Sequence, residues 1–512
     1  MRNLPALPKR AVASVALAIA ALGFSAQAQA PLDIRIALVI GNSAYPDAPL
    51  VNPANDARAM GDTLRGLGFT VVELRDAQKT QMADAIAKVR ESLNGKQGVG
   101  MLYYAGHGLQ LDWRNYMVPV DAKLTKASEV AGQTIDINQV IEAFKGAGNR
   151  MNILVLDACR DNPFAGTASA KGLAQLDAPP GTFLAFATAP GNVADDGDAQ
   201  SGNGLYTQFL LTELKKPVSK IEDVFKRVRL QVRQKSQGRQ IPWESTSLED
   251  DFFFNTGKVM AVAKPDERVR EAAFNAEKSD WDKIKDTKNA ADLYAFLLKY
   301  PNGSISELAQ AQLERIDRAK TVAQPDREGR VQASFDKRWQ EGDRYEFIQK
   351  DGLTGVVSGT AVIETRLRGD DEVEGVVLSG NLSGAIATRA GFALKDGGGS
   401  YDPPWSVVPS GEFQLGKHMS ARSIRTARDG TKGWMEYESR IAAREKLKTA
   451  FGEIDTYRVD VSRTFQDGGR LKMTFWYDPD WGYSVKLLTE FRGRSGPPNI
   501  QIREMVSRSR KG

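Results

Sequence analysis

The sequence predicts a multidomain protein, with an α/β domain that has a mostly parallel sheet, then a short all-α connector, then a C-terminal antiparallel β domain. Three observations predict this order. The 512 residues are too many for one compact domain. Strand and helix patterns alternate over residues 32–257, and alternating apolar runs separated by glycine turns fill residues 331–512. The boundaries that we predict are 1–28, 32–257, 265–320 and 331–512.

Residues 1–28 have the pattern of a secretory signal peptide. Arg2, Lys9 and Arg10 give a basic start, Ala11–Phe24 is apolar, and Ala26-Gln27-Ala28 fits a cleavage site after Ala28. The alternative is an uncleaved membrane anchor, but the apolar run is shorter than the roughly 20 residues that a span needs. We therefore expect an exported, periplasmic protein with no stable membrane span in the mature chain.

Charge and cysteine content exclude two further classes. The chain has 69 Lys and Arg against 64 Asp and Glu, a balance too even for a nucleic-acid-binding protein. Its single cysteine, Cys159, excludes an internal disulfide. A lone thiol in an exported protein is a candidate reactive group, because cysteines in oxidising compartments are normally paired.

The α/β domain is predicted from buried strands that alternate with amphipathic helices. Ser219 and Glu222 form a capping-box pattern at the start of one of these helices. The strands are continuous apolar runs, as in a sheet covered on both faces. They are predicted at Ile34–Ile40, Phe69–Leu74, Val99–Tyr104, Met151–Leu156 and Thr182–Ala187.

The connector at 265–320 is predicted to be wholly helical, because apolar residues recur there at helical spacing. It has the size of a single helical-repeat unit. Such a unit is not stable alone, so we expect it to pack on a neighbouring domain rather than to serve as a partner-binding module. In the β domain, His418 stands without metal-ligand spacing and is expected to be a surface or structural residue.

The chemistry of the α/β domain is concentrated after two of its strands. Ala105-Gly106-His107-Gly108 follows one strand, and Asp157-Ala158-Cys159-Arg160 follows another. The carboxyl edge of an open α/β sheet is where ligand sites form. A thiolate is the attacking species, and an imidazole can remove the thiol proton. Backbone N–H groups beside His107 and at Cys159 could hold an oxyanion. The alternative is that His107 is a satisfied polar residue and Cys159 a small buried hydrophobe.

Residues 34–255 resemble the caspase-like cysteine peptidases, and among them the bacterial metacaspase-like branch. The resemblance implies peptide hydrolysis through a dyad of His107 and Cys159, with the N–H groups of Gly108 and Cys159 as oxyanion donors and polypeptides as substrates. It is carried by Leu38-Val39-Ile40-Gly41-Asn42, Asn55-Asp56-Ala57, Tyr103-Tyr104-Ala105-Gly106-His107-Gly108, Asp157-Ala158-Cys159-Arg160 and Thr188-Ala189-Pro190-Gly191.

One departure from the caspase pattern bears on specificity. The caspase cysteine signature has Gln two residues before the nucleophile, where this chain has Asp157. The metacaspase resemblance implies that Asp157 and Asp56 line the pocket for the residue before the cut. Two carboxylates attract Arg or Lys and repel Asp, so cleavage after basic residues is expected. The alternatives are a helix N-terminal acid for Asp56 and a structural cap for Asp157.

The sequence predicts no metal site and no required cofactor. Calcium activation is known in some metacaspases, and Asp195, Asp196 and Asp198 are acids that could bind calcium. Their spacing is not that of an EF-hand loop, and a solvated loop is the alternative. The rival function is a non-catalytic caspase-fold scaffold or binding protein of the cell envelope. The C-terminal domain could hold an envelope partner under either function.

Overall fold

The computed structural model describes residues 34–112, 114–160, 176–189, 202–257, 266–317, 339–408, 413, 415–493 and 498–510, and for Cys159 and Arg160 the backbone alone. The signal peptide predicted at 1–28 lies outside these residues. Asp195, Asp196 and Asp198, the acids considered for calcium, also lie outside them.

The first domain alternates strands and helices, as the sequence predicts. Its strands are β1 (Ile34–Gly41), β2 (Thr70–Arg75), β3 (Gly98–Leu111), β4 (Arg114–Met117), β5 (Ile135–Asp136), β6 (Met151–Arg160), β7 (Thr182–Phe186) and β8 (Trp243–Thr246). Its helices are α1 (Pro53–Gly66), α2 (Lys79–Leu93), α3 (Val130–Gln133), α4 (Ile137–Lys145), α5 (Leu205–Leu214) and α6 (Ile221–Lys235), with a 3₁₀ turn at Ala127–Glu129.

These strands form one mostly parallel sheet with the order β2-β1-β3-β6-β7-β8. The pairs β1–β2, β1–β3, β3–β6 and β6–β7 are parallel. Three short strands are antiparallel additions: β4 pairs with β3, β5 with β4, and β8 with β7. None of these three strands is predicted from the sequence, because two to four residues carry too little periodicity to identify a strand.

Helices cover both faces of the sheet. Alternate residues of each central strand point to opposite faces. Leu38 and Tyr104 belong to the core under α2 and α4, whereas Val39 and Tyr103 belong to the core under α1, α5 and α6. The continuous apolar runs of the central strands are therefore explained by burial on both sides, as in other covered parallel sheets.

The start of α6 differs from the sequence prediction. Ser219 and Glu222 were predicted to form a capping box, but the helix begins at Ile221 and Lys220 is its N-cap residue, without a side-chain capping bond. The backbone of Lys220 instead forms an isolated bridge with Phe253. This tertiary pairing fixes the entry of the chain into the helix, so the local capping pattern is not used.

The connector is helical, as predicted, and packs on the first domain. It consists of α7 (Glu267–Ile284), α8 (Ala290–Lys299) and α9 (Ser306–Asp317). Leu230 of α6 is part of the connector's hydrophobic core. Arg233, also on α6, donates from Nε to Asp317 at 3.1 Å. In the part of the chain that the structure describes, no helix is long and apolar enough to cross a membrane.

The C-terminal domain is a closed antiparallel barrel of twelve strands. Each strand pairs with the next, and the last pairs with the first. The strands are β9 (Arg344–Asp351), β10 (Val357–Arg368), β11 (Glu372–Gly380), β12 (Ile386–Thr388), β13 (Phe392–Asp396), β14 (Gly399–Ser406), β15 (His418–Thr426), β16 (Lys432–Thr449), β17 (Gly452–Phe465), β18 (Arg470–Asp478), β19 (Tyr483–Arg492) and β20 (Asn499–Ser509).

The barrel contacts both the connector and the edge of the first domain. Arg422 of β15 donates to Glu267 of α7 at 2.7 Å. Lys278 lies 3.1 Å from the carboxylate of Asp402. Gly416, just before β15, lies so close to β8 that a Cβ atom there would be 2.0 Å from the carbonyl oxygen of Thr246. The loop before β15 therefore lies against the edge strand of the α/β sheet.

Candidate active site

The two residues predicted to form the dyad lie opposite each other on neighbouring strands. His107 of β3 and Cys159 of β6 are Cα partners in the parallel register, and adjacent strands are about 4.8 Å apart. β3 extends beyond its pairing with β1, which ends at Ala105. β6 likewise extends beyond its pairing with β7, which ends at Leu156. The strands predicted from the sequence end too early, at Tyr104 and Leu156, whereas β3 continues to Leu111 and β6 to Arg160.

The imidazole of His107 is held on one edge by a backbone carbonyl. Its Nε2 lies 2.7 Å from the oxygen of Ala48. A carbonyl oxygen only accepts hydrogen bonds, so this contact requires the proton on Nε2 and leaves Nδ1 as the basic nitrogen of the neutral ring. The ring of Tyr45 packs against the imidazole with the two centroids 4.4 Å apart. His107 is half-buried, so its ring remains accessible from one side.

Two tyrosines also hold the backbone of His107. The N–H of His107 donates to the hydroxyl of Tyr45 at 3.0 Å, and the hydroxyl of Tyr104 donates to the carbonyl of His107 at 2.6 Å. The Tyr45 hydroxyl in turn donates to the carbonyl of Val118 at 2.9 Å. Burial is the largest cause of the raised pKa of Tyr45, about 12. It therefore stays protonated at any working pH and keeps its donor.

Gly106 is required by this arrangement. Its φ is +152°, and a Cβ atom there would lie 2.7 Å from the hydroxyl of Tyr45 and 2.8 Å from that of Tyr104. Gly108, the other glycine beside His107, pairs with Arg160 of β6 and Met117 of β4. The predicted role of Gly108 as an oxyanion donor stays a prediction.

The two predicted pocket residues lie around one buried phenol. Asp56 is in the first turn of α1, is 2% exposed, and accepts a hydrogen bond from the N–H of Gly204 at 3.1 Å. Asp157 of β6 accepts from the hydroxyl of Thr207 at 2.6 Å. Burial first, and then the charges of Asp56 and Asp157, hold the pKa of the Tyr103 phenol well above its ordinary value. Both carboxylates therefore face the same region beside α5.

The alternatives to a pocket role were a helix N-terminal acid for Asp56 and a structural cap for Asp157. Asp56 is an acidic residue in the first turn of a helix, where the helix dipole favours it. Its near-complete burial is unusual for such a residue, since first-turn acids are mostly exposed. Asp157 lies within β6, and its carboxylate accepts a hydrogen bond from the Thr207 side chain of α5.

Sequence reasoning missed the residues that support these groups. Ala48, Tyr45, Thr207 and Tyr206 carried no signal, because each acts through a contact formed only in the fold. Tyr206 is 1% exposed and its hydroxyl has no hydrogen-bond partner among the described residues. Burial, followed by the negative charge of Asp157, raises its pKa well above the ordinary value.

Metal-ligating side chains are not gathered at this site. Among the described residues, no group of three or more His, Cys, Asp or Glu side chains is arranged to hold a metal ion. His418, the other histidine, lies exposed at the first position of β15.

Comparison with known proteins identifies the first domain. A family model described as "Caspase domain" matches residues 34–253. The human protein "Mucosa-associated lymphoid tissue lymphoma translocation protein 1" is 31% identical over 184 residues, which are 35% of this chain and 22% of that protein. Its mouse homolog is also 31% identical over 184 residues, 21% of its length.

The chain thus spans about a fifth of the length of these curated relatives, and the family-model match falls on the first domain. The family match agrees with the mostly parallel sheet and with the position of His107 and Cys159 at its carboxyl edge. Residues 34–253 of this chain thus form a caspase-like domain.

Proposed function

We propose that the protein is a cysteine endopeptidase of the metacaspase-like branch, which uses Cys159 and His107 as its dyad and cleaves after Arg or Lys. One observation carries the dyad. His107 and Cys159 are direct partners across two neighbouring strands, and the contact of Nε2 with the Ala48 carbonyl leaves Nδ1 as the base.

The reaction begins with transfer of the Cys159 thiol proton to Nδ1 of His107. The thiolate attacks the peptide carbonyl carbon, and the N–H groups of Gly108 and Cys159 stabilise the oxyanion of the tetrahedral intermediate. The imidazolium then protonates the leaving amine, and the peptide C–N bond breaks. Water, deprotonated by the imidazole, hydrolyses the thioester and releases the second product and the thiol.

Specificity for a basic residue is supported by the two carboxylates. Asp56 and Asp157 act on the same buried phenol of Tyr103, so their charges are close to one another. A guanidinium or ammonium group would be attracted by both, whereas a substrate carboxylate would be repelled by both. The hydroxyl of Tyr206 is a further polar group in this region.

The dyad is tested with the purified mature chain and reporter peptides ending in Arg, Lys or Asp, under reducing conditions. We expect cleavage after Arg or Lys that is abolished in Cys159→Ala, with the melting temperature nearly unchanged. Parallel reactions with calcium and with a chelator measure the calcium dependence. Absence of cleavage in every condition would overturn the peptidase and favour a caspase-fold scaffold that binds an envelope component.

The pocket is tested separately with two matched aspartates of α1. Asp56→Asn removes a buried carboxylate, whereas Asp62→Asn removes one whose side chain is 70% exposed. A hydrogen bond to a charged group contributes about 1.5–3 kcal/mol, so Asp56→Asn should lower kcat/KM for Arg peptides about 10- to 100-fold. Asp62→Asn should leave it unchanged. Cleavage after Asp, or equal effects of the two variants, would remove the pocket assignment and keep the dyad.

We also propose export to the periplasm, on the basis of the basic and apolar start of the chain. Expression of the full chain in a bacterial host, followed by fractionation and N-terminal sequencing, tests this. We expect the periplasmic form to begin at Gln29, after cleavage behind Ala28. A full-length product retained with the membrane fraction would support the uncleaved anchor instead.

A further inference from the structure

The imidazole of His107 is oriented by a loop that has no regular secondary structure. The loop joins β1, which ends at Gly41, to α1, which begins at Pro53. It supplies the Ala48 carbonyl that lies against Nε2 of His107 and the Tyr45 ring that packs on the imidazole. Ala48 itself is exposed. An exposed irregular segment is mobile unless further contacts fix it, so the orientation of His107 depends on what holds this loop.

Asp76 holds the beginning of the loop. It directly follows β2, the parallel neighbour of β1, so it lies at the carboxyl edge of the sheet beside the end of β1. Its Oδ1 accepts hydrogen bonds from the N–H of Ser43 at 2.7 Å and from the N–H of Ala44 at 2.8 Å. Hydrogen bonds from backbone N–H groups to an ionised carboxylate are stronger than those between neutral groups. One side chain thus fixes two successive residues of the loop.

Ser43 connects this contact to the rest of the loop. Its carbonyl accepts from the N–H groups of Tyr45 and Leu50, each at 3.0 Å, and the bond from Leu50 closes the loop around Ala48. Its Oγ accepts from the N–H of Ala54, in the first turn of α1, at 2.9 Å. A displacement of Ser43 would therefore displace both Tyr45 and Ala48, the two residues of the loop that contact the imidazole.

The backbone of Asp76 is in the left-handed region, with φ at +51°. Its N–H donates to the carbonyl of Gly41 at 2.9 Å, one step beyond the last β1–β2 pair. Aspartate adopts this conformation more readily than most residues, but glycine does so without steric cost. Such backbone conformations are concentrated at functional sites. A turn alone would be served by glycine, so it does not explain the carboxylate.

The carboxylate is not needed to hold the domain together. Asp76 is exposed, and the adjacent Asn42 fixes the end of β1 independently of it. Asn42 is buried, its Oδ1 accepts from the N–H of Ala77 at 2.9 Å, and its Nδ2 donates to the carbonyl of Val118 at 3.2 Å. Loss of the Asp76 carboxylate should therefore loosen the loop after Asn42 and leave the sheet intact.

We propose that Asp76 is a positioning residue for His107. By holding residues 43–50, it keeps the proton of the neutral imidazole on Nε2, against the Ala48 carbonyl, and leaves Nδ1 available for the thiol proton of Cys159. The consequence for catalysis rests on the peptidase function proposed above, whereas the orientation of the ring is measurable without cleavage. A base that is correctly oriented for only part of the time lowers kcat and leaves substrate binding unchanged.

Nuclear magnetic resonance of the full mature chain, labelled with ¹⁵N-histidine, tests the orientation. The chain has two histidines, and His418→Gln identifies the signals of His107. A Cys159→Ala background prevents the ring from taking the thiol proton, and at about pH 8 a histidine ring is neutral. We expect the proton on Nε2 in the parent. Asp76→Gly, which permits the backbone conformation but lacks the carboxylate, should show a mixture of the two tautomers.

Kinetics with Cys159 present test the effect on catalysis. Asp76→Gly should lower kcat for an Arg reporter peptide about tenfold or more, with KM changed less than about twofold. Asp76→Asn keeps an acceptor oxygen in the same place and should restore most of kcat. Asp112→Gly is the matched control, because Asp112 is also an exposed aspartate with a left-handed φ, +49°, but lies in the turn between β3 and β4. It should change neither the tautomer nor kcat.

An unchanged tautomer of His107 in Asp76→Gly would overturn the proposal, as would equal effects of Asp76→Gly and Asp112→Gly on kcat. If no chain cleaves any peptide, the peptidase function fails, and the tautomer alone decides whether Asp76 positions His107. If Asp76→Gly does not fold, Asp76→Ser takes its place, since a serine hydroxyl makes such turn contacts more weakly. An unchanged tautomer in that variant would then overturn the proposal.

Discussion

Replacement of Gly106 by alanine should impair the function of His107, although His107 itself is unchanged. The added Cβ would lie 2.7 Å from the hydroxyl of Tyr45 and 2.8 Å from that of Tyr104, closer than real Cβ atoms approach. The φ of +152° is also unfavourable for alanine. Backbone strain of this kind costs about 1–3 kcal/mol, and loss of the two tyrosine contacts to the His107 backbone adds about 1 kcal/mol each.

The expected destabilisation of the first domain is thus about 3–5 kcal/mol, a large part of a typical domain stability of about 5–15 kcal/mol. Thermal unfolding followed by circular dichroism measures it, and cleavage of an Arg reporter peptide measures activity below the transition. We expect activity to fall at least tenfold even where Gly106→Ala is folded, because His107 loses both backbone anchors.

A matched control is Gly66→Ala at the end of α1. A Cβ atom there has no neighbour within 4 Å and the backbone is not left-handed, so its stability should change by less than about 0.5 kcal/mol. If Gly106→Ala had the activity and melting temperature of Gly66→Ala, the two tyrosines would not position His107.

Three further predictions concern stability and domain contacts. Glu213→Gln should destabilise the first domain by about 3–5 kcal/mol, because the buried guanidinium of Arg227 loses the carboxylate that lies 2.6 Å from its Nε. Thermal unfolding measures this, and an unchanged melting temperature would contradict it. Burial raises the pKa of Glu277, so the folded state holds its proton more tightly and stability should fall as pH rises above the ordinary value near 4.5. Glu277→Gln should lack this part of the pH dependence, and parallel profiles of stability against pH for variant and parent would refute it. Gly416→Val should separate the barrel from β8, because its Cβ would overlap the carbonyl of Thr246; small-angle scattering should report a larger radius of gyration, and an unchanged radius would count against the contact.

The sequence was informative where burial imposes a periodic pattern. The central strands are apolar throughout because both faces are covered, and the run Ile34–Ile40 lies within β1 as observed. The connector was predictable from helical spacing. The antiparallel character of the last domain was predictable from alternation, as in β17, where Val459 and Val461 are buried and Asp460 and Ser462 are more exposed.

The sequence was uninformative where structure depends on contacts between distant residues. Closure of the barrel requires β9 to pair with β20, with Arg344 opposite Ser509, and no local pattern encodes a pairing over that separation. The capping pattern at Ser219 was misleading for the same reason, since the bridge of Lys220 to Phe253 fixes the start of α6. Local preferences are weak beside tertiary contacts.

In the candidate site, too, some residues could be predicted from the sequence and others could not. His107 and Cys159 were identifiable because they are the histidine and cysteine of segments that follow buried strands. The group that orients His107 was not identifiable from the sequence, because it is the backbone carbonyl of Ala48 and every residue type has such a carbonyl. The residue sequence does not indicate which backbone oxygen contacts an imidazole, so the orientation of His107 is known only from the fold.

Donors at the start of α5 explain how the fold accommodates the buried Asp56 and the half-buried Asp157. Asp56 accepts from the N–H of Gly204, just before α5, and Asp157 accepts from Thr207 within α5. Buried carboxylates need such donors to remain acceptable in a protein interior. The amino end of α5 supplies donors to both, and its helix dipole favours negative charge there. One helix thus supplies hydrogen-bond donors to both acids, and the pocket that we propose for a basic side chain would depend on this arrangement.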